Sequence, residues 1–333
     1  MDMQYRRLGR SGLFVSAFSF GSWVTFKNQV DDSLGEKLMG QAYDTGINFF
    51  DNAEVYAGGE SEVIMGRVLR KLGWSRDSYC VSSKVFWGGP KPTQRGLSRK
   101  HVFDACHAAL KRLQVDYLDL FFCHRPDIHT PIEETVRAMN DLIQQGKVIY
   151  WGTSEWGATA LMEAYGVARQ YGLVPPTMEQ PQYNLLVREK VEGDYLPLYD
   201  KFGLGTTVWS PLASGVLTGK YNDGIPEGSR MSLPNFEWLK NRLESEEGRR
   251  NIEKARALSA IADDLGISLT RMSLAWCLAN PRVSTVILGA SRPEQLEENL
   301  AALGDLSLLD DEVLARIDEV MANRPEPPAD FSA

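Results

Sequence analysis

Four side chains able to hold or move a proton stand where apolar runs end. Asp51 closes INFFD, Lys84 closes YCVSSK, His124 closes YLDLFFCH, and Tyr56 follows Asp51 just ahead of Gly58 and Gly59. Tyrosine is a poor acid at neutral pH, with a reference pKa near ~10. A neighbouring ammonium stabilises the phenolate and lowers that value. Lys84 is the expected neighbour, with Asp51 keeping it charged and aimed. His124 adds a donor or acceptor able to orient a carbonyl oxygen beside the phenol. Such a set delivers a proton to an oxygen that is gaining negative charge, and it needs no protein nucleophile. Carbonyl reduction has this requirement, provided a cofactor brings the hydride. Taken singly, each residue has a plainer reading: a solvated or paired strand end for Asp51 and Lys84, a packing residue for His124, a loop anchor for Tyr56. Only an architecture that gathers the four ends makes them a site.

The elements that must do the gathering alternate along the whole chain. Strand-length apolar runs recur as VSAFSFG, INFFD, YCVSSK, YLDLFFCH, VIYWGTS, TMEQPQ, GTTVWS and VSTVILG, eight in all. Between them lie stretches with helical spacing, such as Leu34, Leu38, Ala42 and Val136, Met139, Ile143. Alternating strands and helices imply a parallel sheet with helices outside. Eight uninterrupted units favour a closed α/β barrel of the (β/α)8 TIM type over an open doubly wound sheet. Such a barrel takes ~250 residues before insertions. We therefore read residues 1–333 as one barrel domain, with inserted residues 221–250 as a lid and C-terminal extra helices ending in Asp310 to Met321. Tyr5 to Leu8 and Leu13 to Val15, around GRSG, read as an N-terminal β-hairpin. Ser291-x-x-Glu294, with Pro293, reads as a capping box opening a helix. In a barrel, all the strand ends meet on one rim, where chemistry is found.

Bulk properties narrow the partners. With 36 Lys and Arg against 44 Asp and Glu, the formal charge is −8, which argues against nucleic acid or an anionic membrane. The N-terminus MDMQYRRLGRSG lacks the apolar core of a secretory signal, and no apolar run reaches the ~20 residues of a membrane-spanning helix. Cys80, Cys106, Cys123 and Cys277 are scattered, as expected of reduced thiols in a cytoplasmic protein. The histidines lack H-E-x-x-H spacing, so no metal site is expected. Gly203-Leu204-Gly205 precedes its strand and lacks a third glycine, and SGVLTGKY is one residue short of a phosphate-binding loop.

Longer motifs carry a resemblance. GSWVTFKNQ, INFFDNAEVYAGGESEVIMG, SSKVFWGG, HRPD, PIEETVRAMN, WGTSEW, EQPQYN, WSPLASGVLTGKY and LGASRPEQLEEN run through nearly the whole chain. Together they resemble the aldo-keto reductases, and within them the β subunits of voltage-gated potassium channels and their soluble relatives. The resemblance implies a barrel whose base is plugged by the hairpin, and NADP(H) lying across the rim. It implies that Asp51, Tyr56, Lys84 and His124 are the catalytic four, with Tyr56 the general acid. Trp23 and Gln29, with Asp51, fall near the nicotinamide half; Ser154 and Gln180 fall on its amide, and Trp209 is the stacking ring. Ser210, Pro211, Leu212 and Ser214 would follow the pyrophosphate, with Lys220 close by. Gly289, Ser291, Gln295, Glu298 and Asn299 fall at the adenosine end, where Lys220, Arg230 and Ser291 would suit a 2′-phosphate.

Two positions depart from the channel β subunits, which carry Asn at the position of His124 and Arg at the position of Glu155. The first favours a committed reductase, and the second leaves a carboxylate where it can weaken a cofactor contact. The expected activity is NADPH-dependent reduction of a small aldehyde or ketone to an alcohol. The alternative is a redox-sensing β subunit of a potassium channel with incidental turnover. By analogy the protein is expected to be a homo-oligomer, a tetramer or larger. Phe86, Trp87, Phe236 and Trp238 are expected to make an aromatic mouth.

Overall fold

The computed structural model describes residues 2–23, 32–227, 229–232 and 236–326. A two-stranded antiparallel hairpin opens it, β1 (Tyr5–Arg7) with β2 (Phe14–Ser16). Eight parallel strands then close into a barrel: β3 (Phe18–Gly21), β4 (Phe49–Asp51), β5 (Cys80–Val85), β6 (Leu118–Cys123), β7 (Val148–Ser154), β8 (Met178–Gln180), β9 (Gly205–Val208) and β10 (Thr285–Leu288). The ladder runs in chain order, and β10 pairs with both β9 and β3, so no edge strand is left. The eight apolar runs of the sequence thus supply the eight staves of the barrel.

The strands are short, and their period of two sorts their side chains. On β4, Phe49 and then Asp51 share a face; on β5, Cys80, Ser82 and Lys84 do; on β8, Met178 and Gln180 do. At the N-terminal ends of the strands this face is apolar, and Phe49, Cys80, Leu120, Phe122 and Met178 form one buried cluster with Leu8 and Val15 of the hairpin. The hairpin therefore plugs the barrel's base with its own hydrophobic side chains. At the C-terminal ends the same face turns polar. A second, larger cluster fills the space between barrel and helices, with Phe18, Phe20, Phe50, Val81 and Phe121 on the alternate strand positions.

The outer layer comprises α1 (Asp32–Asp44), α2 (Glu60–Leu72), α3 (Arg99–Leu113), α4 (Ile132–Gln144), α5 (Ala158–Tyr171), α6 (Leu196–Phe202), α7 (Glu237–Glu244), α8 (Glu246–Asp264), α9 (Leu269–Ala279), α10 (Pro293–Ala301) and α11 (Asp311–Met321). Gly66 lets α2 approach the end of α3, since a Cβ there would lie 2.3 Å from the carbonyl oxygen of Arg112. Asp310 caps α11, accepting from Val313 N at 2.9 Å. None of these helices, among the described residues, is long and apolar enough to cross a membrane.

One local expectation needs correction. The helix expected to open on Ser291 starts at Pro293 with Arg292 as its cap residue, and Ser291 makes no capping bond to it. Instead the Ser291 N–H and Oγ both reach Gln295 Oε1, at 2.9 and 3.1 Å, so Gln295 holds the loop from inside the helix. The inserted residues 221–250 contain α7 and the first turn of α8, and α11 packs against α8. The capping Ser245, accepting from Gly248 N at 3.1 Å, decides where that helix starts.

One buried carboxyl makes the fold pH-sensitive. Glu179 on β8 is fully buried, accepts from Trp156 N at 3.2 Å and is bonded to Thr153, and burial pushes its pKa up to about 8. The unfolded chain binds fewer protons than the native one between the ordinary glutamate range and that value, so stability falls as pH rises through this window. Glu179→Gln keeps an acceptor for Trp156 and removes the charge. It is expected to stabilise the protein at pH 8, on the order of 2–4 kcal/mol, and to change little at pH 5. Denaturant unfolding of both proteins at the two pH values checks this; an equal effect at both would show that Glu179 is not the titrating group.

Candidate active site

The polar rim formed by the strand ends is centred on Lys84. Its ammonium is fully buried and has three partners: Asp51 Oδ2 at 2.6 Å, the carbonyl oxygen of Asn52 at 2.9 Å and the Tyr56 hydroxyl at 3.0 Å. Two residues beyond the end of β4, Ala53 and Glu54 start the loop that carries Tyr56, and Tyr56 N bonds back to Ala53 O at 3.1 Å. Ala57, at φ 51°, turns the chain sharply after it. The other carboxylate oxygen of Asp51 accepts from Ser82 Oγ at 2.8 Å and Gln180 Nε2 at 3.1 Å, and the same Gln180 nitrogen reaches Thr207 Oγ1 at 3.3 Å. Asp51 is thus held from β5 and β8, with Thr207 of β9 steadying the Gln180 amide, and it holds Lys84 in turn.

The electrostatics follow from burial. Desolvation pulls Lys84 down, but Asp51 and Tyr56 outweigh it, so its pKa stands above the ordinary lysine value. For Tyr56 the balance runs against the expectation from sequence. Burial raises its pKa, and the pull of Lys84 does not compensate, so the phenol is a weaker acid than free tyrosine. His124 follows β6, and its imidazole lies edge-on to the Tyr56 ring at 5.8 Å and to Trp87 at 5.1 Å between centroids. Burial first, then Lys84 and Arg125, push its pKa well below 6.5, so the ring is neutral at neutral pH. Its Nδ1 is buried and has no hydrogen-bond partner among the described residues, while the residue itself lines the cleft beside Tyr56.

From this centre a cleft of about 1070 Å³ runs along the rim. Trp23, Asp51, Tyr56, His124, Ser154, Gln180 and Trp209 line one end. Ser210, Pro211, Leu212, Ser214, Lys220, Gly289, Ser291, Gln295, Glu298 and Asn299 line the rest of it. Lys84 lies behind Asp51 and Tyr56 instead of on the wall. Gln29 is outside the described residues, as is the side chain of Arg230. Of the aromatic residues expected at the mouth, Trp87 and Trp238 line the cleft, whereas Phe86 and Phe236 pack partly buried against the core.

Several non-glycine residues with left-handed backbone sit on this rim: Ala57, Glu155, Ser210, Ala213 and Ser214. Such conformations cost ~1–3 kcal/mol each and concentrate at ligand sites. Ser210 is held open by Asn184 Nδ2, which donates to its carbonyl oxygen at 2.9 Å, and its Oγ accepts from Ser214 N at 3.3 Å.

The structure also brings in residues that sequence reasoning passed over. Arg125, Gln182, Arg242, Ser268, Thr270 and Arg292 line the cleft. Glu155, expected from sequence only to weaken a cofactor contact, instead organises the cleft wall from behind. Glu155 Oε1 accepts from Gln182 N at 2.6 Å and from Trp209 Nε1 at 3.0 Å, while Oε2 meets Lys190 Nζ at 2.6 Å. A left-handed φ of 61° turns Glu155 into this role. Positive φ at a glutamate leaves no mark in composition or spacing; HRPD and EQPQ, flanking known candidates, were the only signals for Arg125 and Gln182.

Comparison with known proteins accounts for this arrangement. The aldo/keto reductase family model matches residues 17–322, from the first barrel strand through α11. The chain belongs to the aldo/keto reductase family. A curated relative from Arabidopsis thaliana, described as a probable voltage-gated potassium channel subunit beta, is 52% identical over 330 residues, covering 99% of this chain and 100% of its own. Membership makes the protein an oxidoreductase of a family that uses nicotinamide cofactors, and the closed barrel with its hairpin plug is the fold of that family. The reductase thus keeps its polar rim where the barrel's chemistry is expected.

Proposed function

We propose that this reductase converts aldehydes and reactive ketones to alcohols with NADPH, Tyr56 giving the proton. The observation that carries the reading is the buried Lys84 ammonium bonded at once to Asp51 and to the Tyr56 hydroxyl. When bound, the cofactor supplies the hydride. Tyr56 stays protonated at neutral pH and donates to the carbonyl oxygen as charge develops there. Lys84 then meets the phenolate so formed at 3.0 Å, which limits the cost of leaving a buried anion. Neutral His124 orients the carbonyl with a ring nitrogen.

The chain's residues fit a dinucleotide. The cleft is roomy enough, since typical small-ligand pockets span ~300–1,000 Å³, and the volume here is about 1070 Å³. Gln180, its amide nitrogen engaged by Asp51 and Thr207, offers its oxygen to a carboxamide, beside Ser154. Lys220, Ser291 and Arg292, all on the cleft wall, suit an extra phosphate, which favours NADPH over NADH. Residues 221–250, which contribute Pro226, Glu227, Trp238 and Arg242 to the wall, act as a lid on this reading.

The test is aldehyde-dependent oxidation of NADPH by the purified protein, with alcohol identified as product and NADH run beside it. Turnover with NADPH supports the reading; absence of NADPH binding and of turnover with every aldehyde ends it.

Glu155 supports the same site indirectly. Glu155→Ala frees the Trp209 indole, which Glu155 now holds at 3.0 Å, and leaves Lys190 without its carboxylate. Losing a hydrogen bond to a charged group costs ~1.5–3 kcal/mol. NADPH affinity, followed by fluorescence titration, is expected to fall ~10–100-fold, with Glu155→Gln recovering part of it because its amide oxygen still accepts.

A second reading rests on the 52% identity to a relative named as a probable channel β subunit. On it, the protein assembles as a homo-oligomer in the cytoplasm and docks on a potassium channel, using its cofactor as a redox sensor. Co-purification with a channel's cytoplasmic domain, at a stoichiometry unchanged by Tyr56→Phe, would favour it.

A further inference from the structure

At the catalytic end of the cleft the charged wall residues are Asp51 and Arg125. Asp51 is committed to Lys84. Arg125 is half-buried, and its guanidinium lies between two indoles, 5.5 Å from the Trp87 ring centre and 5.9 Å from that of Trp209. Its Nη1 donates to its neighbour's carbonyl oxygen, His124 O, at 2.6 Å and to Ser154 Oγ at 3.3 Å. No carboxylate pairs with it among the described residues, and the acids close by are spent elsewhere. Asp127, two residues on, accepts from Leu97 N, His129 N and Thr130 Oγ1 at 2.8, 3.0 and 2.7 Å. Glu155, which holds the Trp209 ring, is paired with Lys190 at 2.6 Å.

A guanidinium partly removed from water is costly unless an anion or good acceptors meet it, and two indole faces do not replace a carboxylate. Arg125 is also close enough to weigh on the charge of both Tyr56 and His124. Its remaining N–H groups are therefore available to an anionic group on whatever molecule offers its carbonyl to Tyr56. Guanidinium and carboxylate match in a planar, two-point contact.

We propose that Arg125 is a specificity-determining residue and that the preferred substrates are carbonyl compounds bearing a carboxylate. The carboxylate sits against the guanidinium between Trp87 and Trp209 while the carbonyl oxygen faces Tyr56 and His124. This deepens the reductase reading and rests on it.

The experiment compares 4-carboxybenzaldehyde with its methyl ester, methyl 4-formylbenzoate, which has the same ring and aldehyde without the charge. Wild type, Arg125→Met and Arg125→Lys are assayed with NADPH, and sodium benzoate is titrated calorimetrically into each protein saturated with NADP+. The ratio of kcat/KM for acid over ester is expected to exceed one in the wild type and to fall ~10–100-fold in Arg125→Met, with a smaller fall in Arg125→Lys. Benzoate binding should weaken in parallel. A ratio unchanged in Arg125→Met, or benzoate binding that survives it, overturns the proposal. So does an equal loss on both aldehydes accompanied by weaker NADPH binding, which would assign Arg125 to the cofactor or to the loop. If the wild type reduces neither aldehyde, the claim of carboxylate-bearing substrates is overturned, and the reductase reading is then decided separately by NADPH binding and turnover across other aldehydes.

Discussion

Replacing Tyr56 by Phe is expected to lower aldehyde-dependent NADPH oxidation by ~10²–10⁴-fold while NADPH binding is retained. The substitution removes one oxygen, and that oxygen is the partner of Lys84 Nζ at 3.0 Å. Asp51 and the Asn52 carbonyl remain to satisfy the ammonium, at 2.6 and 2.9 Å, so the protein should fold and keep its cleft. Trp23, 6.5 Å away between ring centres, keeps a ring to pack against. The pH dependence follows with its sign. A phenol whose pKa is raised by burial stays protonated through and above the neutral range, so proton donation is not lost there. An imidazole pushed well below 6.5 stays neutral above that value, so it adds no acid limb near neutrality. Reduction, measured as kcat/KM, should therefore be flat from about pH 6.5 to 8.5, and alcohol oxidation, which needs the phenolate, should rise with pH. A clear break near pH 6.5 that vanishes in His124→Asn would contradict this account. Equal turnover in wild type and Tyr56→Phe would remove Tyr56 as the acid.

Lys84→Met is expected to damage both activity and stability. A buried carboxylate that loses its only cation is strongly destabilising, typically by ~3–5 kcal/mol. Asp51 is 2% exposed, and with Lys84 gone its neighbours Ser82 and Gln180 donate hydrogen bonds but no charge. Activity should fall at least as far as in Tyr56→Phe, because the phenolate formed on proton transfer would stand without an ammonium beside it. The double variant Asp51→Asn with Lys84→Met separates the two effects. It removes both charges, so unfolding free energy should recover most of the loss, since neutral replacements of buried pairs are often tolerated. Turnover should not recover. If the double variant regained activity, the lysine would be structural only, and the proton would be delivered without it.

Much of the barrel was legible because its period is local. Runs such as YCVSSK and YLDLFFCH announce strands by length and β-branched or aromatic content; the strand Leu118–Cys123 falls within the second, and Cys80–Val85 overruns the first by one residue. The polar ends of those runs also brought forward Asp51, Lys84 and His124, because a strand that ends on a rim shows its last inward residue in the sequence. Tyr56 stood out by its distance from Asp51 alone. Where structure was decided by a neighbour one residue away, sequence erred: Ser291 looked like a cap, and the helix began at Pro293 because Gln295 takes the serine's bonds.

What tertiary structure alone decided is the environment of each charge. Lys84 was expected to lower the Tyr56 pKa, yet burial wins and raises it, and burial is a sum over elements distant in sequence. Glu155, at the end of β7, reaches Gln182, Trp209 and Lys190, a set that no spacing rule foresees. Arg125 reads in the chain as one arginine among many. Only in the folded molecule are Asp51, Asp127 and Glu155 each committed to other partners, which leaves its guanidinium without a carboxylate among the described residues. Periodicity and strand ends are written residue by residue, whereas desolvation and pairing depend on which groups converge in space, and the closed barrel makes that choice.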